Sequence, residues 1–490
     1  MSRVVVVGAG LSGLSAACHL IGDGHEVVVV ERDDGPGGRG RREEVDGFAF
    51  DLGPTVMTMP ELLDEALRAA GSSQAEEVPM RPLSPGYRGL FADGSEIRIG
   101  PGVEDTRQEI ARLAGPADAR AFERELVPLL RRLHETELPN FIDRNFDGPL
   151  GLLSRPAAAA RLLRAGAFGP LERLIAAHIG DERVRRMFTF QALYAGLPPT
   201  RALGVYAVIA YMDCIRGVFL PEGGMGALPA GMARAVSRHA EIRYGTAVTG
   251  VLRRRDGVVA GVRTADGPID AEAVVCTVDL PVAYRRLLPD LTPPRPLRRA
   301  RHSPSAAVWH LGVRGELDER TAHHNIHFGR DWERAFRQLV DRGELMTDPS
   351  RLVTVSSLGE PSLAPPGHHT LYVLEPVPNL QDGRVDWRRE REPMRERLRE
   401  FLGRAGYPDE VVAERLVTPP EWERLGMAAG TPFGLAHLFR QTGPFRPRNR
   451  EPRVPGLFFA GSSTVPGVGV PMVLISGKLA ARRVREWLRA

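Results

Sequence analysis

Three glycines near the start of the chain have the spacing of a turn that holds a dinucleotide. Gly8, Gly10 and Gly13 lie in GAGLSG, between valine runs at 4–7 and 27–30. Read as strand, turn, helix and strand, the segment predicts that Gly8 permits a tight turn, Gly10 admits a pyrophosphate and Gly13 allows close helix packing. The amino end of the helix would attract the phosphate charge.

Glu31 ends the second valine run, eighteen positions beyond Gly13. A carboxylate there can accept hydrogen bonds from both ribose hydroxyls and would repel a 2'-phosphate. No second well-formed GxGxxG is evident, so a firmly held nicotinamide cofactor is not expected. Arg3 and the apolar run after it loosely imitate a secretory signal, but such a signal has no need of a second valine strand. We therefore expect a cytosolic protein.

A second glycine cluster follows at residues 35–40, with Arg32 before it and Arg39 inside it. Flexible backbone beside an arginine suits a phosphate, whereas a hairpin with a solvated arginine fits the spacing equally well. The run 48–51 predicts a strand that enters a tight turn at Gly53 and Pro54.

Composition limits the function classes. The chain has 490 residues, 43% of them apolar and 26% charged, and a net charge of +4, which predicts two to three domains of ordinary soluble character. No basic run is interleaved with aromatic residues, so nucleic-acid binding is not expected. Nearly all the positive charge is arginine, because Lys478 is the single lysine.

Cysteines and histidines give no metal pattern. Three cysteines, Cys18, Cys214 and Cys276, are far apart and predict reduced core residues. The pairs at 323–324 and 368–369 are adjacent in sequence, so their side chains should diverge rather than share a metal. No apolar stretch reaches eighteen residues, which excludes a bilayer span.

The pattern along the chain predicts a discontinuous domain organisation. Helical periodicity runs from about residue 80 to residue 211, and strand-rich texture returns afterwards and again at the end. We expect one domain from residues 1–79, 212–292 and 450–490, and a second from 80–211 and 293–449.

Residues 150–178 contain candidate membrane-interface helices. They carry Arg155, Arg161, Arg164 and Arg173, with Glu172 as the one acid between 155 and 178. A basic amphipathic segment can lie at an anionic membrane surface. A pair of helices that packs between domains and has a solvated face explains the pattern equally well.

Together these segments resemble the flavin-dependent phytoene desaturase family of bacteria, over nearly the whole chain. The motifs that carry the resemblance are GAGLSGL with Glu31, PGGRG (36–40), FDLGPTV (50–56), PEGGMGAL (221–228), HHNI (323–326), PSLAPPGHHTLYVLEPVP (361–378), RQTGPFRPRN (440–449) and FFAGSSTVPGVGVPMVLISGK (458–478). The later motifs are more specific than the opening ones, which many two-domain flavoproteins share.

The resemblance implies an α/β fold, with a Rossmann-like FAD-binding domain and an inserted, discontinuous α+β substrate domain. It implies FAD as the cofactor and no metal. Pro471 suits a helix start, and a helix that begins beside the flavin pyrimidine would stabilise the reduced ring. The implied cofactor-binding residues are Gly8, Gly10, Gly13, Glu31, Arg32, Gly38, Arg39, Gly53, Pro54, Val248, Gly461, Val470, Pro471 and Met472.

Two positions depart from the patterns of related flavoproteins. Ser462 stands where many such proteins carry an acid for the ribityl chain, which disfavours the amine-oxidase branch. Val465 stands where the desaturase family often has histidine, so a polar contact at that position is not expected.

The implied activity is desaturation of a carotenoid precursor, above all phytoene, by hydride transfer to flavin N5 with loss of a proton. A hydrocarbon polyene would be held by apolar burial in a tunnel. The sequence singles out no catalytic residue, and Asp143 with Arg144 is interpreted as a surface ion pair. The expected partners are the polyene and, peripherally, the inner face of the cell membrane.

Two alternatives remain open. One is a sibling enzyme, either another isoprenoid desaturase or a carotenoid isomerase that uses reduced flavin. The other is a non-catalytic lipid escort protein, which would have no need for an intact flavin site.

Overall fold

Two large β-sheets and a block of helices make up the protein. The computed structural model describes residues 1–489, without the side chains of residues 152 and 153. Residue 490 of the predicted nucleotide-binding domain, and those two side chains of the predicted 150–178 segment, lie outside the described residues.

The strands are mostly short. They are β1 (Arg3–Val7), β2 (Glu26–Val30), β3 (Arg42–Val45), β4 (Phe48–Asp51), β5 (Met80–Pro82), β6 (Tyr87–Leu90), β7 (Glu96–Ile99), β8 (Phe219–Pro221), β9 (Glu241–Arg243), β10 (Val248–Arg253), β11 (Val259–Thr264), β12 (Gly267–Asp270), β13 (Ala273–Cys276), β14 (Ser305–Arg314), β15 (His324–His327), β16 (Arg351–Val355), β17 (His368–Val377), β18 (Glu410–Val417) and β19 (Leu457–Phe459).

Many of the helices between the strands are a few turns long or less. They are α1 (Leu11–Gly22), α2 (Pro60–Ala69), α3 (Gln74–Glu77), α4 (Val103–Ala114), α5 (Pro116–Ala121), α6 (Val127–Glu137), α7 (Pro156–Arg164), α8 (Leu171–Ala176), α9 (Glu182–Met187), α10 (Ala207–Ala210), α11 (Ala227–Ser237), α12 (Leu280–Arg286), α13 (Arg295–Arg298), α14 (Trp332–Phe336), α15 (Ser356–Gly359), α16 (Trp387–Arg404), α17 (Pro419–Arg424) and α18 (Val470–Arg489).

The first sheet is parallel and has the order β19-β13-β1-β2-β9. Its central strand, β1, is almost wholly buried, which explains the continuous valine run, because a parallel sheet is covered on both faces. Val4 and Val6 pack towards α1 and α18, and Val5 and Val7 pack on the opposite core with α12. The expected strand, turn, helix and strand are present.

The second sheet has seven strands in the order β18-β14-β17-β16-β15-β6-β7 and is antiparallel except between β15 and β6. One face packs against the long helix α16. A separate core fills the helical region between α4 and α10. The architecture is therefore α/β with an additional mixed sheet, in agreement with the expected fold class.

The expectation of helical structure from residue 80 is wrong for its first twenty residues. Residues 80–82, 87–90 and 96–99 are strands, and the helices start at α4. β6 pairs with the adjacent β7 on one side and, on the other, with β15, which is more than two hundred residues away. Pairing over such a distance leaves no trace in local periodicity.

Two side-chain expectations are also corrected. The rings of His323 and His324 do not diverge, since their centroids lie 4.5 Å apart. Asp143 pairs not with Arg144 but with Lys478 and Arg482 of α18, at 2.7 and 3.3 Å. The three cysteines are buried and free, as expected. Among the described residues, no helix is both long and apolar enough to cross a membrane.

Candidate functional site

One cavity of about 1260 Å³ runs from the glycine turn after β1 to the second sheet and the helical block. Sites for single small molecules occupy about 300–1,000 Å³, so this cavity has room for more than one ligand. It is lined by thirteen of the fourteen predicted cofactor-binding residues, namely Gly8, Gly10, Glu31, Arg32, Gly38, Arg39, Gly53, Pro54, Val248, Gly461, Val470, Pro471 and Met472.

Gly13, the fourteenth, lies behind the turn. A Cβ atom on Gly13 would stand 2.0 Å from the carbonyl oxygen of Gly8, so only glycine lets α1 pack this closely on β1. Gly8 has φ +107°, which favours glycine. Both positions thus have the backbone roles that their spacing predicts.

Glu31 is buried at the end of β2, and its carboxylate accepts hydrogen bonds from the backbone amides of Ala9 (2.6 Å) and Asp33 (3.0 Å). An ionised carboxylate offers about four acceptor positions, so two donors leave capacity for a ligand. The carboxylate both braces the glycine turn and lines the cavity.

Arg39 lines the cavity and contacts residues that are far away in sequence. Its guanidinium donates to the carbonyl of Pro432 (3.2 Å) and to the Ser462 hydroxyl, and lies 3.4 Å from the Asp279 carboxylate. Arg39 is therefore not the solvated hairpin arginine that the spacing also allowed. Arg32 is more exposed and donates to the carbonyl of Leu425 at 2.6 Å.

The segment 461–472 forms the opposite wall and leads into α18, which starts at Val470 with Pro471 in its first turn. Arg446 is buried behind this segment and donates to four backbone carbonyls, those of Leu435, Gln441, Ser462 and Thr464. A fixed guanidinium that satisfies four carbonyls holds the loop in one conformation. The side chain of Val465 is buried, and its carbonyl accepts a hydrogen bond from Ser476 Oγ (2.8 Å).

Two motifs that are distant in sequence meet beside the cavity. Asp51, in FDLGPTV, accepts hydrogen bonds from the amides of Met225 (2.7 Å) and Gly226 (3.0 Å) in PEGGMGAL. Arg42 pairs with the same carboxylate at 2.9 Å. Burial raises the pKa of Asp51, and Arg42 and the two amides oppose that shift. These contacts fix the start of the Gly53 turn.

Beyond the turn, the wall is mainly apolar and aromatic. It is built from the helical block and the second sheet, with Phe141, Leu162, Phe190, Leu203, Ile209, Phe328, Trp332, Tyr372 and Leu374 among its members. Such a surface can hold a long hydrocarbon by the hydrophobic effect, because nearly every contact removes apolar surface from water.

Three titratable groups in this apolar region were not predicted from the sequence. Burial raises the pKa of Glu137 well above its usual range and that of Asp213 to about 7. Burial and the charge of Arg446 lower the pKa of His437 well below its usual range. Asp213 had a signal in the sequence, because it is the one charged residue in the apolar run 205–215.

The cavity suits a flavin dinucleotide. No side chain caps α1 at Gly10, and Gly10, Leu11 and Ser12 line the cavity, so the amino end of a twelve-residue helix faces the space where a phosphate fits. The carboxylate of Glu31 and the first turn of α18 lie on the same cavity. The cavity therefore fits the cofactor both in its shape and in the polar groups that it presents.

Comparison with known proteins agrees with this geometry. The chain is 48% identical over 494 residues to the phytoene dehydrogenase of Streptomyces griseus, covering 99% of this chain and 95% of that one. It is 36% identical over 497 residues to the zeta-carotene-forming phytoene desaturase of Myxococcus xanthus, covering 100% and 95%. An oxidoreductase from Methanosarcina mazei shares the fold, with a TM-score of 0.66 at 18% identity over 99% and 100% of the two chains.

A family model described as flavin containing amine oxidoreductase matches residues 11–485. The match covers every strand of both sheets except β1, and all of the cavity wall except Val7, Gly8 and Gly10. The chain therefore belongs to the family of flavin containing amine oxidoreductases, and its cofactor is FAD.

Proposed function

We propose that this chain catalyses the FAD-dependent desaturation of phytoene. The observation that carries the proposal is the single continuous cavity, in which a dinucleotide site opens into an apolar tunnel. The relatives named phytoene dehydrogenase and phytoene desaturase support the same substrate class. A phytoene molecule offers no group for a hydrogen bond or an ion pair, and the apolar wall requires none.

We propose that the five-stranded sheet belongs to the FAD-binding domain (1–79, 212–292 and 450–490) and the seven-stranded sheet to the substrate domain (80–211 and 293–449). The turn at Gly8 and Gly10 would hold the pyrophosphate, and Glu31 the ribose. Gly461 and the segment Val470 to Met472 would lie against the flavin ring. When bound, FAD accepts a hydride from a C–H bond of the substrate. The protein orients the chain and excludes water.

Purified protein and liposomal phytoene test the proposal. We expect yellow protein, and products with red-shifted absorbance whose mass falls by two hydrogens for each desaturation. Coexpression with a phytoene-producing pathway, followed by pigment chromatography, identifies the product. Red-shifted products of unchanged mass would identify an isomerase, and protein that cannot be loaded with FAD would favour an escort protein.

We also propose that the mouth of the tunnel docks on a membrane surface. Four large apolar side chains near it are exposed: Leu150 (79%), Leu163 (67%), Phe439 (52%) and Phe168 (38%). Leu163, Phe168 and Phe439 also line the cavity. Clustered exposed apolar side chains beside a hydrocarbon tunnel would let substrate pass from lipid to protein without crossing water.

Arginines flank this apolar patch. Arg155, Arg161, Arg164 and Arg173 are exposed, and none pairs with a carboxylate in the described part of the chain. Unpaired arginines at a membrane surface each gain about 1 kcal/mol from anionic headgroups. A helix pair that packs between domains and has a solvated face would also expose the arginines. The exposure of the large apolar side chain of Leu163 on α7 is what supports the membrane surface instead.

Flotation with anionic lipid vesicles tests the docking. The wild type should float, and the double variant R161E/R164E should remain with the soluble fraction. The matched control is R388E/R389E, the same charge change on α16, which packs on the second sheet and lines no part of the cavity. Equal flotation of the three proteins would contradict membrane docking through this face.

A further inference from the structure

One buried carboxylate on the tunnel wall, that of Asp213, pairs with no cation among the residues that the structure describes. Asp213 is 4% exposed, and within the same residues its side chain has one hydrogen-bonding partner, the hydroxyl of Tyr87, 3.3 Å from Oδ2. The Tyr87 ring packs 5.4 Å from the ring of His324, whose Nε2 lies 2.9 Å from the carbonyl of Thr55. Thr55 follows Pro54 on the same cavity. Asp213 is thus two side chains away from the proposed flavin-binding turn.

Three other carboxylates of the cavity are already engaged. Glu31 braces the glycine turn, and Asp33 lies beside it at the nucleotide end. Asp279 accepts hydrogen bonds from Ser463 Oγ and from the amide of Ala428 (2.8 Å) and pairs with Arg39. None of the three is free to meet a hydrocarbon.

Two further titratable groups on the apolar wall differ from Asp213 in protonation. Burial without a compensating partner raises the pKa of Glu137 well above its usual range, which favours its protonated form. Burial beside Arg446 keeps the pKa of His437 far below neutrality, which makes its imidazole a weak base. Burial raises the pKa of Asp213 to about 7, where a base can both accept and release a proton.

The surroundings of Asp213 leave its titration isolated near neutral pH. Burial raises the pKa values of Tyr87, Tyr194 and Cys214 well above their usual ranges and lowers that of His324 to about 4. Burial also lowers the pKa of His134, which packs on Tyr211 beside Asp213, and raises that of Tyr372 on β17. In the described residues, no lysine or arginine pairs with Asp213, so changes near pH 7 report on Asp213 itself.

We propose that Asp213 is the catalytic base that accepts the proton lost by the substrate. This inference rests on the proposed desaturation. One C–H bond breaks with its electron pair leaving as hydride to FAD, the oxidant. The neighbouring C–H bond breaks with its proton passing to a carboxylate oxygen of Asp213, and its electron pair forms the new C=C bond. Tyr87 orients the carboxylate through its hydroxyl.

The test compares wild type, D213N, D213E and E137Q as holoenzymes, in single-turnover conversion of phytoene without oxygen at several pH values. The wild-type rate should rise with pH up to about 7 and then level off. D213N should lower the rate about 10²-fold or more and abolish its increase with pH. D213E should retain part of the rate and part of its increase with pH. E137Q, which also replaces a buried cavity carboxyl by its amide, should keep the rise.

A second measurement uses no substrate. A raised folded-state pKa means that Asp213 holds a proton that the unfolded chain releases, so its contribution to stability falls as pH rises from about 4 to about 7. The unfolding midpoint of D213N should therefore rise relative to that of the wild type as the pH increases over that range. A difference that does not change with pH would contradict the proposed ionisation.

The outcomes separate the two proposals. Wild-type protein that holds FAD but leaves phytoene unchanged overturns the desaturase and the base together. Wild-type protein that converts phytoene, with D213N following the same pH profile, overturns the base alone. If D213N neither folds nor holds FAD, D213E decides the question. The pH dependence of its single-turnover rate must then be shifted relative to the wild type, and an unshifted pH dependence overturns the inference.

Discussion

Gly13 lies where α1 crosses β1, with no room for a Cβ atom against the Gly8 carbonyl. We predict that Gly13→Ala lowers the free energy of unfolding by about 3 kcal/mol, since the helix must move away from the sheet. Denaturant unfolding measures it. Gly403→Ala in α16 is the control, because nothing lies within 4 Å of its Cβ position. This variant should raise the free energy of unfolding by about 0.5–1 kcal/mol. Equal effects of the two would refute a packing role.

Glu31 gives a prediction about cofactor occupancy. Glu31→Arg replaces the buried acceptor of two amides by a cation and should remove most bound flavin, which the visible absorbance of purified protein reports. Glu26→Arg, at the exposed start of the same strand, should keep its flavin. Full flavin content in Glu31→Arg would show that the carboxylate makes no essential contact.

At these positions the sequence was informative because the roles are local. The glycines and Glu31 act within one turn and two strands, so their spacing predicts their placement. Asp279 and Arg446 act through contacts with residues that are far away in sequence, such as Ala428 for Asp279. No local pattern encodes such a contact, and the structure alone identifies both residues.

At the scale of elements, the same limit explains the strands between residues 80 and 99. They contain three or four residues each, and only β7 alternates polar and apolar residues, over a length too short to predict a strand. β6 pairs with the distant β15 in the seven-stranded sheet, and β5 pairs with the distant β8 in a separate two-stranded sheet. By contrast β1, β2 and α18 were predictable, because valine runs and a long periodic helix are strong local signals.

The helix α18 is clamped to two other segments by one ammonium group. Lys478 lies 2.9 Å from Glu65 of α2 and 2.7 Å from Asp143, and its side chain is 9% exposed. We predict that Lys478→Met costs roughly 1–3 kcal/mol of stability, because two carboxylates lose their shared partner but can still be partly hydrated. Urea unfolding measures the change.

Arg482→Met supplies the comparison for that clamp. Arg482 pairs with Asp143 at 3.3 Å but is 37% exposed, so its loss should cost less than about 1 kcal/mol. A Lys478 variant as stable as the Arg482 variant would mean that the clamp is too well hydrated to stabilise α18.

At the scale of the whole molecule, buried histidines predict acid lability. Burial strongly lowers the pKa of six histidines, to about 4 for His19, His324 and His327, to about 3 for His310, and well below the usual range for His323 and His437. The unfolded chain binds protons at these sites as pH falls through about 6.5, and the folded chain does not. Stability is therefore lost as the pH falls from about 6.5 towards 4.

Three carboxyls with raised pKa values, Asp51, Glu137 and Asp213, act in the opposite direction, but the histidines outnumber them. We expect the free energy of unfolding, measured in urea, to fall between pH 7 and pH 5 by up to about 1.4 kcal/mol per pH unit for each histidine, and the urea midpoint to fall with it. A midpoint that stays constant or rises towards pH 5 would show that the histidines are protonated in the folded protein.

Lys478 is the single lysine of a chain whose positive charge is otherwise arginine, and it is held between two acids inside the molecule. Reagents that acylate lysine side chains should therefore leave Lys478 of the folded protein unmodified and react with it only once the chain has unfolded. A lysine-specific endoprotease would find its single cleavage point only after global unfolding, which makes cleavage a direct gauge of that event.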